Sequence, residues 1–211
     1  MSGDSAREAW LAASDGLVAG VHHALNNRMA SLSALAQLLS MGAAPPGAER
    51  TLMQEVERFS GTLRLLGLVP RHPSEGPIPL QLPHLFPDVL ALVGQHREVR
   101  DVEFAVDGDP GVLPVLCADW ALTHALLALL VALGEAARER GAPRVSVRYE
   151  GDERFVVLEA EVEGGTGGEP PGLAGVAALF GEVGAEAQPT DAGIVVRFPT
   201  LPEARRRERE G

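Results

Sequence analysis

From about Ser5 to Met41 the chain has no proline, and apolar residues recur at Leu17, Val21, Leu25, Met29, Leu32, Leu35 and Leu39. Steps of four and three are the period of one helix face, so this stretch is predicted to be one long amphipathic helix. Gly42-Ala43-Ala44-Pro45-Pro46-Gly47 stops it. Leu52, Val56, Phe59, Leu63 and Leu66 then form a second, narrower stripe, with Arg50, Glu55, Glu57, Arg58 and Arg64 off it. Two such helices joined by a short turn make an antiparallel hairpin. A lone hairpin buries only one side of each stripe, so two copies packed as a four-helix bundle, a homodimer, are expected.

After the hairpin, taken as residues 1–70, prolines at 70, 73, 77, 79, 83 and 87 break all periodicity and predict a linker over 71–86. A second unit over 87–200 mixes periods. A helix is predicted from about Pro87 to His96 and a strand at Val102–Val106. After the turn Asp107–Gly111, a second strand is expected at Val112–Cys117, then a strongly apolar helix from Asp119 to Arg140. Arg144–Tyr149 and Phe155–Val162 alternate as strands around a tight turn. A Gly/Pro-rich loop over Gly164–Gly172 leads to a short helix, Leu173–Val183, and a last strand, Gly193–Phe198. The fold class is therefore α+β: a helical hairpin followed by an α/β sandwich, a mixed sheet with helices on one face.

Charge narrows the partners. The 211 residues carry 18 basic and 29 acidic side chains, a net charge of −11. Phosphate backbones are repelled on average, so nucleic acid is not expected as a partner. Arg205-Arg206-Arg207 alternates with glutamates and is read as part of a solvated tail over 201–211. All the basic residues are arginine, which removes a phosphate-loop lysine, a Schiff-base lysine and a lysine general base. The single cysteine, Cys117, has no internal disulfide partner and suits a buried thiol in a reducing compartment. The first residues lack the basic-then-apolar order of a leader, and the apolar run Ala125–Gly134 falls short of the roughly 20 residues that cross a bilayer. A cytoplasmic protein with no membrane contact is the expectation.

The candidate chemistry lies in the first helix. His23 falls nearly opposite the centre of the apolar stripe, whereas His22 sits at its edge. Asn27 is one turn after His23 on the same face. A solvent-facing imidazole, as a class largely neutral at neutral pH, is a competent nucleophile toward phosphorus. Neither histidine has a carboxylate or another histidine one turn away, which argues against a metal site. Two solvated surface histidines would be the ordinary reading of the dipeptide alone.

His23-Ala24-Leu25-Asn26-Asn27, with the apolar period that follows and the second helix, resembles the dimerisation and phosphoacceptor hairpin of bacterial histidine kinases and its H-x-L-N-N signature. The resemblance implies that His23 is the phosphoacceptor and that Asn27 is the polar neighbour associated with phosphatase chemistry. Ala24 stands where the family usually has an acid, and Arg28 where it usually has proline. The resemblance extends over roughly residues 15–200. Asp119 to Ala136 follows the N-box helix of the kinase ATP-binding domain, D-x-x-L-x-Q-x-L-L-N-L-L-x-N-A-x-E-A, but its two asparagines are Ala128 and Ala132 here. Methyl groups offer no oxygen to magnesium. The adenine-binding D-x-G-x-G box is at best Glu163-Gly-Gly165-Thr-Gly167, and Gly172-Leu173-Ala174, a remnant of the last glycine box, follows with too little chain between them for the usual lid.

Phosphoryl transfer from ATP depends on positioning and on charge neutralisation, and those parts are altered. The resemblance therefore points to a histidine phosphotransferase of the ChpT type, with a degenerate ATPase domain. Such a protein passes phosphoryl groups between response regulator receiver domains through His23, with no cofactor and no metal of its own. Arg28 and Ser31 are candidate docking positions, and a hybrid histidine kinase is a further candidate partner. Two alternatives stand: a non-catalytic adaptor that binds a receiver or kinase, and a divergent kinase that still uses ATP.

Overall fold

The computed structural model describes residues 2–68, 77–141, 144–164 and 168–210. Helix α1, Ser2–Ser40, is a single 39-residue rod, and α2, Ala48–Leu68, runs back along its C-terminal half. The Ala43 N–H donates to the Leu38 carbonyl and the Gly42 N–H to that of Leu39, a Schellman close that needs the positive φ of 65° at Gly42.

The linker expected over 71–86 is shorter than the proline count suggests. Residues 69–76 lie outside the described residues, but Ile78–Leu80 forms β1 and α3 begins at Leu82, not near Pro87. Pro83 sits in the first turn, where a missing N–H costs nothing, and the run Leu82, Phe86, Val89, Leu92, Val93 is buried at helical spacing. Helical burial here overrides Pro87, which lies inside α3.

Strand β2, Glu103–Gly108, is followed by β3, Val115–Cys117, which pairs antiparallel with β1. Helix α4, Asp119–Glu139, comes next, then β4, Arg144–Gly151, and β5, Phe155–Val162. Helix α5, Leu173–Glu182, β6, Glu186–Pro189, β7, Gly193–Pro199, and α6, Leu201–Glu210, complete the order. The main sheet runs β2-β4-β5-β7-β6, with β2 and β4 parallel and the other pairs antiparallel. Sequence patterning missed β6, a four-residue edge strand of polar composition.

One sheet face is buried: Val145, Val147, Val156, Leu158, Ala160, Val196 and Phe198 point into the core. Arg148, Glu159, Glu161 and Arg197 alternate with them toward solvent. Helix α4 lies on the buried face and is as long and apolar as a membrane span, longer in that respect than the Ala125–Gly134 run, with the larger share of its residues buried inside the protein. Sheet strands cover one side of it, and α1, α3 and α5 cover the others.

The docking of α1 on this layer is a departure from the expected hairpin. Ala6, Ala13, Leu17 and Val21 are buried in the same core as α4 and α5, and Trp10 stacks on His124 of α4 with ring centroids 3.5 Å apart. Leu25 still packs against that core, so the apolar residues from Met29 onward are left for the hairpin. Each fully buried leucine or valine contributes roughly 2 kcal/mol, so the first half of α1 is held as firmly as a core helix.

The tail is exposed over 205–210, as expected of a solvated segment, but it is helical. It forms α6, anchored by the buried carboxylate of Glu203, which ion-pairs with Arg154 at 3.2 Å, Arg206 at 2.7 Å and Arg207 at 3.4 Å.

Candidate functional site

Because α1 is continuous, residues three and four apart share a face, and Gly16, Gly20, His23 and Asn27 fall in one line. The lower part of this line is a close backbone contact. A Cβ on Gly20 would lie 1.7 Å from the Gln95 carbonyl oxygen, and one on Gly16 would meet the His96 ring at 2.2 Å. The Arg97 N–H donates to the Gly16 carbonyl at 3.3 Å. Glycine at both positions lets the loop after α3 press against the helix one and two turns before His23.

Above that contact the two surfaces part, and a cleft of about 730 Å³ opens. His23, Asn27, Arg28 and Ser31 line it from α1, Glu55 from α2, and Arg97 and Arg100 from the loop. All four residues singled out on α1 are thus together. The face of His23, expected to look onto open solvent, looks onto a cleft walled on its other side by the second unit.

The Asn27 side-chain nitrogen is 3.0 Å from His23 Nε2. With the amide donating, Nε2 carries the lone pair and the proton sits on Nδ1, which is the nucleophilic tautomer. His22 and Asn26 make a similar contact at 3.2 Å, so the hydrogen bond alone does not separate the two histidines. Position does: His23 lines the cleft and His22 is not among its lining residues.

Charge in the cleft is set by the second helix and the loop. Glu55 is 2.6 Å from Arg58 and 3.9 Å from Arg28. Arg28 is half-buried, and its Nε has no hydrogen-bond partner among the described residues. Two further histidines brace α1 from below. Burial lowers the pKa of His96, with Glu98 and the Ala13 carbonyl acting in the opposite sense. Burial between Trp10 and Trp120 lowers that of His124 to about 4. Both are therefore neutral at neutral pH.

The positions that the sequence resemblance assigns to a degenerate nucleotide box lie elsewhere. Ala128 is buried and Ala132 packs partly buried, both on α4. Glu163, past the end of β5, pairs with Arg144 at 3.2 Å. Gly165–Gly167 lie outside the described residues. Among the described residues no three His, Cys, Asp or Glu side chains gather around one point.

Arg97, Arg100 and Glu55 were not found from sequence. The signal was present in Gly16 and Gly20, four apart and in line with His23, a pair of small residues that marks close backbone approach inside a helix.

Comparison by sequence finds nothing: no family model matches the chain, and no curated protein matches it. Solved structures do show a likeness. The Acinetobacter baumannii histidine kinase AdeS is similar at 16% identity and a TM-score of 0.44, over 85% of this chain and 98% of that one. The histidine kinase ThkA, crystallised in complex with the response regulator TrrA, is similar at 16% identity and a TM-score of 0.47, over 88% of this chain and 61% of that one. The ATP-binding domain of PrrB from Mycobacterium tuberculosis is similar at 17% identity and a TM-score of 0.44, over 60% of this chain and 98% of that one.

Proposed function

We propose that this chain is a histidine phosphotransferase of a two-component phosphorelay, working as a homodimer and without ATP. The observation that carries the reading is the His23–Asn27 pair, an imidazole whose Nε2 lies 3.0 Å from the Asn27 amide nitrogen, lining one cleft with Arg28, Arg97 and Arg100. A phospho-aspartyl receiver docks over the cleft, and the Nε2 lone pair attacks its phosphorus. The N–P bond forms as the P–O bond breaks, and the aspartate carboxylate leaves with the electron pair. Asn27 must release Nε2 for this to happen, so its hydrogen bond holds the resting state. The second transfer reverses these bonds onto another receiver's aspartate, and any magnesium arrives with the receiver.

The emptied nucleotide box supports the ATP-free part of the reading. Alanines replace both oxygen donors on α4, and the first half of α1 lies across α4 and α5 as an added layer. Homodimerisation is supported by apolar side chains left exposed on the hairpin: Met29 is 53% exposed, Met53 60%, Val56 42% and Leu63 46%.

Two measurements test the proposal. A receiver carrying labelled phosphate should pass label to the wild-type chain and none to His23→Ala. Labelled ATP incubated with the chain alone should give no labelled protein, and label there would restore the kinase reading. A receiver that binds and never transfers would leave an adaptor.

A further inference from the structure

We infer that the cleft beside His23 is a phosphoryl-anion site built from both units, in which Arg97 and Arg100 hold the phosphoryl group as it moves to and from the imidazole. This rests on the phosphotransfer reading and adds to it the groups that neutralise the transferred charge.

Three guanidinium groups and one carboxylate line the cleft: Arg28, Arg97, Arg100 and Glu55. Glu55 is engaged by Arg58 and draws Arg28 toward itself. The ion pairs of Arg97 and Arg100 run to their sequence neighbours, Glu98 at 3.6 Å and Asp101 at 3.8 Å. Glu98 is also shared with Arg138 at 3.3 Å. Exposed pairs of that length hold a guanidinium weakly, so both arginines are available to a stronger anion. Their side chains are 75% and 59% exposed. In a protein of net charge −11, this surplus of cation beside the one cleft-lining histidine runs against the average field.

Backbone geometry fixes the loop that carries them. The hydrogen bond from the Arg97 N–H to Gly16 pins the loop seven residues before His23, about 10 Å down the helix axis. Arg97 and Arg100 from the loop and His23 from α1 line the same cleft. The three non-bridging oxygens carry charge throughout the transfer, and a cationic side chain that donates hydrogen bonds to them offsets that charge, as an ammonium group also can. The second unit, emptied of its nucleotide chemistry, supplies the anion clamp.

Phosphoramidate tests this without any partner. His23 Nε2 attacks its phosphorus, the P–N bond breaks, and ammonia leaves. The full chain is incubated with potassium phosphoramidate, and phosphohistidine is followed by phosphorus NMR and intact mass. Wild type should be labelled and His23→Ala should not. Arg97→Gln/Arg100→Gln should label roughly 10-fold more slowly, and Arg97→Lys/Arg100→Lys should recover most of the rate. Arg148→Gln/Arg197→Gln removes two charges from the exposed sheet face and should stay within about twofold of wild type, as for a purely long-range charge effect. Equal rates for the two glutamine variants, or slow labelling with lysine as with glutamine, would overturn the clamp and leave the phosphohistidine standing. No label on wild type, or equal label on His23→Ala, would instead overturn the phosphotransfer reading itself.

Discussion

At the scale of single residues, the histidines divide by what surrounds them. His124 is stacked on Trp10 and its Nε2 has no hydrogen-bond partner among the described residues, so burial lowers its pKa to about 4. An unfolded histidine titrates near about 6.5. Between those values the unfolded chain binds the extra proton and the folded chain does not, so stability falls as pH drops from about 6.5 to 4 and levels off below. After allowance for partial exposure, the loss is on the order of 2 kcal/mol. Urea unfolding at stepped pH should show it, and His124→Phe, which keeps a ring against Trp10, should flatten much of the slope. His96 shifts in the same direction and accounts for a residual slope. Unchanged pH dependence in the variant would remove His124 as its source. Of the site, the shared face of His23 and Asn27 was legible in the sequence because it follows from spacing on one helix. Arg97 and Arg100 were not, because their place depends on a loop more than seventy residues away in the chain.

Among elements, the informative contact is α1 against the loop after α3. Gly20 has no room for a side chain, since the obstacle is the Gln95 backbone and not a movable side chain. Gly20→Val should therefore cost roughly 1–3 kcal/mol or more, read by urea unfolding, and should also slow phosphorylation at His23 by displacing the loop. A variant as stable as wild type would show that the two surfaces do not meet as described. Helix and strand types were legible wherever burial repeats along the chain, as in α4, β4 and β5. The start of α3 was obscured because Pro83 and Pro87 look like linker residues, and only the buried run from Leu82 to Val93 reveals the helix around them. The anchoring of the tail was not legible because Glu203 is one acid among many in sequence; its three arginine partners identify it as an anchor.

For the whole molecule, the exposed apolar face of the hairpin is the surface on which the proposed dimer rests. Val56→Glu/Leu63→Glu would place unpaired carboxylates in the four-helix bundle proposed for the dimer and should weaken association by roughly 100-fold or more, checked by light scattering across a dilution series. A wild-type chain that is monomeric at high concentration would end that proposal. Helix α1 joins the two units without a break, and helical phase thereby becomes a property of the site. One alanine inserted between Val21 and His22 leaves a good helix but turns everything beyond it by about 100°, swinging His23 off the cleft while the docked half stays in place. Seven inserted residues return the imidazole to within about 20° of its bearing, though about 10 Å farther along. The angular register of an uninterrupted rod, more than any hinge, sets which way this protein offers its histidine.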